Sequence, residues 1–295
     1  MNLSQSEYNK STYFYNEIMN AFKMDFSLHK DLIEILKPKS ILELGCGMGR
    51  LFPIFMTEAK EITGIDLSDE MIAKGRTYYG DYGGGRENIT IDFLNTDMCS
   101  FKTNKKYDLI VFALSVLKHL SRDEERLKAL KNAKEHLSQD GFIVIDHTPF
   151  LYASRPTEWI DAKSSQVAGW IPESIVLDGY QWKKSIEGKK DILKWRYNDS
   201  GQTQFEVNFT TYRYDIEELI EHLSQLELSY EWILTEWGCN GLSNKGKRFI
   251  GVASYPDNKY SPKQDLLEKV RKRKEILWSD FDLYLEDKKI SINSI

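Results

Sequence analysis

Between Asp31 and about Phe150, short apolar runs alternate with amphipathic stretches, the pattern that a parallel sheet covered by helices leaves in a sequence. The apolar runs predict strands at SILELG (40–45), EITGIDL (61–67), NITIDFLNTD (88–97), YDLIVFAL (107–114) and GFIVIDH (141–147). Four of them are almost uninterrupted, as strands buried on both faces should be. Between them, DEMIAKGRTYY and DEERLKALKNAKEHL space their apolar residues for helices, and SQDG after the second predicts a polar turn in which glycine stops the helix.

Beyond Phe150 the period changes. Residues 151 to about 178 carry no clear pattern, whereas Tyr180 to Tyr214 alternates and has turn signals at EGKK and NDSG, predicting short antiparallel strands. DIEELIEHLSQL then predicts a helix, and ELSYEWILTEW and KRFIGVASY two more strands, so the chain returns to its sheet after an insertion. From Pro256 the chain is charged with helical spacing, and Leu266, Leu267, Val270, Ile276, Leu277 and Phe281 could form one apolar face. That face could pack on the domain or on a second subunit in a homodimer. The chain divides accordingly into an N-terminal and α/β core region (1–150), an insertion (151–212), a return to the sheet (213–255) and a helical extension (256–295).

Composition narrows the class. Hydrophobic residues at 41%, charged residues at 29% and a mean hydropathy of -0.49 describe a water-soluble globular chain. No apolar run approaches the roughly 20 residues of a membrane span, and the first residues show no export signal, which predicts a cytoplasmic protein. A net charge of -5 gives no general attraction to phosphate backbones, and the basic run KVRKRK (269–274) stands nearly alone, which argues against a nucleic-acid partner. Cys46, Cys99 and Cys239 form no C-x-x-C pair and have no histidine cluster beside them. Reduced structural thiols and no metal are expected.

The candidate chemistry sits in ILELGCGMGR, where Gly45, Gly47 and Gly49 follow the first strand. A turn at that position in an open α/β sheet is where ligands bind, and missing Cβ atoms let the backbone bend sharply and approach a ligand. The dinucleotide fingerprint G-x-G-x-x-G would need glycine at position 50, which is Arg50, and no P-loop run occurs.

The arrangement E-x-G-x-G-x-G between strand and helix resembles the first motif of the class I S-adenosylmethionine-dependent methyltransferases. The resemblance continues in order through GIDLS, NTDMCSF, YDLIVFALSVLKHL and LKNAKEHLSQDGFIVIDH, covering about residues 40 to 147. It implies a Rossmann-like seven-stranded sheet with helices on both faces, an inserted antiparallel β lid that binds the acceptor, and S-adenosyl-L-methionine as cofactor with S-adenosyl-L-homocysteine as product. It also implies a cofactor site of Glu43, Gly45, Cys46, Gly47, Gly49, Asp66, Leu67, Met71, Asp97, Met98, Ala113 and Leu114. In that site Asp66 would accept the ribose hydroxyls, Asp97 the adenine amino group, and Met98 would touch the ring.

In the same resemblance His119 lies beside the transferred methyl, either helping to deprotonate or orient the acceptor or simply packing the site. Tyr15, with Tyr8 and Tyr13, would belong to an N-terminal helix closing over the cofactor or serve as core cover. His147 could line the acceptor pocket or be structural. Of Trp159, Trp170, Trp182 and Trp195 in the insertion most would form its core. Trp182, Tyr212 and Arg213 are the candidates for acceptor contact, Arg213 as the partner of a carboxylate or phosphate. TEWGCNGLSNKGKRFIGVASY resembles the closing strands of sugar- and glycine-type N-methyltransferases. The expectation is methyl transfer to nitrogen or oxygen of a small molecule, with an RNA- or protein-directed enzyme, or a non-catalytic cofactor-binding protein, as alternatives.

Overall fold

Residues 25–80, 89–147, 157–162, 178–235 and 248–258, together with Thr12 and isolated positions between 260 and 269, are described by the structure, a computed structural model. Its centre is a sheet in which β1 (Ser40–Leu44) lies between β2 (Glu61–Asp66) and β4 (Tyr107–Phe112). Outside them run β3 (Thr90–Asn95) on one side and β5 (Leu137–His147), β11 (Arg248–Ser254) and β10 (Ser229–Thr235) on the other. The order is β10-β11-β5-β4-β1-β2-β3, and every pairing is parallel except those of β11. The chain leaves β1 first toward β2 and later returns to its other side with β4, so the tips of β1 and β4 flank the crevice where such sheets hold ligands.

Burial follows the strand period. Ile41, Leu109, Val111 and Val144 pack toward α1 (Phe26–Leu36), α2 (Phe52–Phe55) and α3 (Asp69–Tyr79). Leu42, Leu44, Ile110, Phe112, Ile143 and Ile145 face α4 (Asp123–His136) and α5 (Ile216–Gln225). Both faces of the inner strands are therefore dry, which is why their sequences read as continuous apolar runs. β3 is one of the two edge strands and carries exposed residues at both ends.

One expectation needs correction. SQDG is not a free turn: α4 ends at His136 and β5 begins at Leu137, running through Ser138 to Gly141. Pairing with β4 jumps from Tyr107↔Leu137 to Leu109↔Phe142, so the extra residues bulge out of the ladder. Asp108 braces this irregularity, accepting from Ser138 Oγ at 3.3 Å and from the N–H groups of Lys39 and Ser40 at 2.8 and 3.1 Å.

Between β5 and α5 lies a second, antiparallel sheet of β6 (Ile160–Asp161), β7 (Tyr180–Glu187), β8 (Lys190–Asp199) and β9 (Gln202–Tyr212), in that order. Tyr180, Trp182, Trp195, Val207 and Ala162 form its own small core. The chain leaving this sheet is fastened to the main domain. Arg126 donates from Nη2 to the carbonyl of Arg213 (3.0 Å) and from Nε to that of Leu120 (3.2 Å), while its guanidinium lies over the Tyr214 ring. Beyond Pro256, Lys269 reaches Glu34 of α1 at 2.6 Å. All six positions proposed for the apolar face of the extension lie outside the described residues, as do Tyr8, Tyr13, Tyr15, Trp170 and Cys239. Among the described residues no helix is long and apolar enough to cross a membrane.

Candidate active site

The tips of β1, β2, β3 and β4 open into one cavity of about 810 Å³, roofed by β8 and β9. Thirteen residues expected from the sequence line it: Glu43, Gly45, Cys46, Gly47, Asp66, Leu67, Met71, Asp97, Met98, Ala113, Leu114, His119 and Tyr212. Gly49, His147, Trp182 and Arg213 do not.

Each of the four absences has a packing reason. Gly49 lies behind the turn, where an added Cβ would come within 3.0 Å of Phe52, Phe93 and Tyr79. His147 is fully buried, and its Nε2 donates to the carbonyl of Tyr214 at 2.8 Å. Trp182 stacks on Trp195 inside the core of the antiparallel sheet. Arg213 spends its guanidinium on Asp215, with Nε 2.6 Å from Oδ2.

The glycine turn is set by the protein as well as by whatever lies on it. Gly45 has φ +77°, and a Cβ there would stand 2.2 Å from Val116 Cγ2. The first glycine thus makes room for the segment after β4. At Gly47 a Cβ would meet only Met71 Sδ, at 3.5 Å, and its N–H donates to Asp66 Oδ2 at 2.9 Å.

Asp66 ends β2 with its second oxygen accepting the Ser68 N–H at 2.8 Å. Burial raises its pKa against the opposing effect of these backbone donors. Leu67 adds a third backbone N–H, so the carboxylate still has acceptor capacity to offer a hydroxyl. Asp97 shapes the next tip, taking the Cys99 N–H on Oδ1 at 2.8 Å, and Asn132 holds that loop by donating to the carbonyls of Met98 and Phe101, both at 3.1 Å.

Glu43 lies deeper, 3% exposed, with Oε2 lacking a hydrogen-bond partner among the described residues. Burial pushes its carboxyl up to about 8, with Asp25 and Asp66 adding to the rise and Arg50 opposing it. Arg50 is itself clasped by Asp25 through two bonds of 2.6 and 2.7 Å. Ligand atoms of Asp25, His29 and Asp146 come within 4.8 Å of one another, and the guanidinium on Asp25 supplies the positive charge of that cluster.

His119 closes a short 3₁₀ turn, Val116–His119, and its ring donates to the Thr210 carbonyl of β9. Burial pushes the imidazole down to about 4, with Thr210 opposing and Lys118 adding to the fall. One ring nitrogen is thereby protonated and bound, and the other keeps its lone pair. Ahead of the turn, Leu114 (φ +49°) and Ser115 (φ +59°) are consecutive non-glycine residues in the left-handed region, a strain of about 1–2 kcal/mol each.

Sequence reasoning missed neighbours of the expected residues at the strand tips, such as Thr96 and Val116, and a second group from β8, β9 and the entrance to α4: Lys190, Ile192, Thr210, Ser121, Arg122, Glu125 and Lys128. The alternation of β8 and β9 was readable. Which face of the sheet meets the cavity was not, because both faces mix polar and apolar residues.

Comparison with known proteins agrees with this geometry. Residues 41–141 match the family described as a methyltransferase domain. A Geobacillus protein named as a candidate methyltransferase is 26% identical over 144 residues, and the match spans 47% of this chain and 56% of that one. The dTDP-3-amino-3,4,6-trideoxy-alpha-D-glucopyranose N,N-dimethyltransferase of Streptomyces venezuelae is 25% identical over 238 residues, 75% of this chain and 87% of its own length. An S-adenosylmethionine-dependent methyltransferase from Clostridium acetobutylicum superposes with a TM-score of 0.65 at 17% identity, covering 84% of this chain and 98% of that structure.

Proposed function

We propose that this chain is an S-adenosylmethionine-dependent methyltransferase that moves a methyl group to the nitrogen of a small-molecule amine, with hydroxyl oxygen as the second acceptor class. The observation that carries the reading is the pairing within one cavity of a glycine turn tied to Asp66 with a half-buried histidine held by the roofing sheet. The amino-sugar specificity in the name of the Streptomyces relative supports an amine.

The residues present fit the cofactor. Asp66 would take the ribose hydroxyls on its remaining lone pairs, and Asp97 with Met98 would take the adenine. The buried, unpartnered oxygen of Glu43 suits a positive charge, such as the ammonium of a methionine moiety. When bound, S-adenosylmethionine supplies a methyl group already activated on a sulfonium.

The chain must then align the nucleophile and exclude water. His119 orients rather than stores the proton. Moving a proton from an alkylammonium, with a pKa of about 10, to an imidazole near 4 would cost about 8 kcal/mol. The amine therefore arrives neutral, having given its proton to solvent, and donates an N–H to the imidazole nitrogen that does not carry the proton, so that its lone pair is aimed. The roof of Ile192, Thr210 and Tyr212 keeps water away.

The test is methyl transfer from labelled S-adenosylmethionine to a panel of amino sugars, other small amines and matched alcohols. Label in an N-methyl product carries the proposal. Label confined to RNA or protein, or no turnover by a chain that binds S-adenosylhomocysteine, would contradict it.

A further inference from the structure

The backbone kink after β4 is held by a residue outside the cavity. Leu114 and Ser115 both adopt left-handed conformations that side chains disfavour, and such a pair persists only where its surroundings impose it. One residue of the neighbouring strand takes both of their N–H groups. Asp146 Oδ2 accepts from Leu114 at 2.9 Å, and the Asp146 carbonyl accepts from Ser115 at 2.9 Å. Asp146 is 1% exposed and does not line the cavity.

The kink has two consequences on the cavity side. It turns the chain so that Val116 seats against Gly45, where no Cβ would fit. It also starts the 3₁₀ turn, closed by bonds from Val116 to Ala113 O (3.0 Å) and from Lys118 to Ser115 O (2.9 Å), that carries His119 to the wall beneath Thr210. Relaxation of Leu114 and Ser115 to ordinary backbone angles would swing both side chains away.

We propose that Asp146 is a positioning residue for methyl transfer, whose carboxylate holds the Leu114–Ser115 kink that places Val116 on the glycine turn and His119 at the acceptor. The proposal rests on the reading of the cavity as a methyl-transfer site. The decisive element is the acceptor oxygen on residue 146, so asparagine should preserve the function and alanine should not.

Hydrogen–deuterium exchange tests this on the chain without cofactor. In Asp146→Ala, peptides covering 113–120 should exchange at least tenfold faster than in the wild type while those covering 90–95 stay unchanged, and affinity for S-adenosylhomocysteine should fall at least fivefold. In Asp146→Asn both quantities should remain within threefold of wild type. Wild-type exchange in the alanine variant, equal impairment of both variants, or acceleration spread evenly across the sheet would each overturn the proposal. If the alanine variant does not fold, the asparagine variant decides alone: protection retained supports the proposal, and a tenfold loss overturns it. Failure of the wild type to bind S-adenosylhomocysteine would count against the methyltransferase reading, whereas the exchange result bears on the kink itself.

Discussion

The main-chain N–H of Gly47 donates to the carboxylate of Asp66 at 2.9 Å, joining the turn after the first strand to the tip of the second. The residue that the reading assigns to the ribose thus also fixes the turn on which the nucleoside would lie. Binding and turn geometry are coupled through one side chain.

Gly45 tests whether protein packing sets the turn. Alanine there would meet Val116 Cγ2 at 2.2 Å with φ at +77°. Gly45→Ala should lose about 2–4 kcal/mol of unfolding free energy in denaturant titration, from overpacking and backbone strain together. Val116→Ala in the same chain should recover part of that loss, since it removes the clashing methyl groups but not the strain. Strict additivity of the two substitutions would mean the contact is unimportant.

Glu43 makes a pH prediction. Its carboxyl titrates near 8 when folded, above the ordinary carboxylate value, so the folded chain holds a proton that the unfolded chain releases. This contribution is complete below about pH 4.5 and is lost as pH rises through 8. His119 has the opposite sign: its folded value is depressed, so its contribution is complete above about pH 6.5 and lost as pH falls toward 4. Between about pH 6.5 and 8 the Glu43 effect is therefore isolated from that of His119. Across that window Tm should fall in the wild type and fall less in Glu43→Gln. Calorimetry in two buffers of different ionisation enthalpy should also show proton release on cofactor binding in the wild type but not in the variant. Identical curves for the two chains would remove Glu43 from the account.

His119→Ala should leave cofactor affinity within about twofold while turnover falls by ~10²-fold, the scale of a lost orienting or proton-handling group. The pH–rate profile should rise with deprotonation of the acceptor amine in both chains, without an inflection near the ordinary histidine value. An inflection near pH 6.5 that disappears in the variant would make His119 a titrating general base. Loss of cofactor binding would make it structural.

Much of this was legible in the chain because the inner strands are buried on both faces, so burial wrote itself into long apolar runs such as YDLIVFAL. The glycine turn and Asp66 were legible because close backbone approach and a strand-end carboxylate leave local marks. Ser138–Gly141 misled because its turn-like residues sit in a bulge whose partner, Asp108, is remote in sequence. His147 and Arg213 have their partners hidden from the sequence for a related reason. A histidine at a strand end and an arginine after a strand look available for a ligand, yet Tyr214 and Asp215, which come from the far side of the insertion, occupy them. Asp146 gave no signal at all, because its role depends on the backbone angles of two residues on another strand.

Calorimetric titration of S-adenosylhomocysteine into the wild type and Asp66→Ala tests the central claim most directly. The account predicts one site per chain, weakened by about 1–3 kcal/mol in the variant, where buried polar groups lose their partner. Equal affinity in the two chains would contradict it, and so would a wild type that ignores the nucleoside and binds a dinucleotide instead.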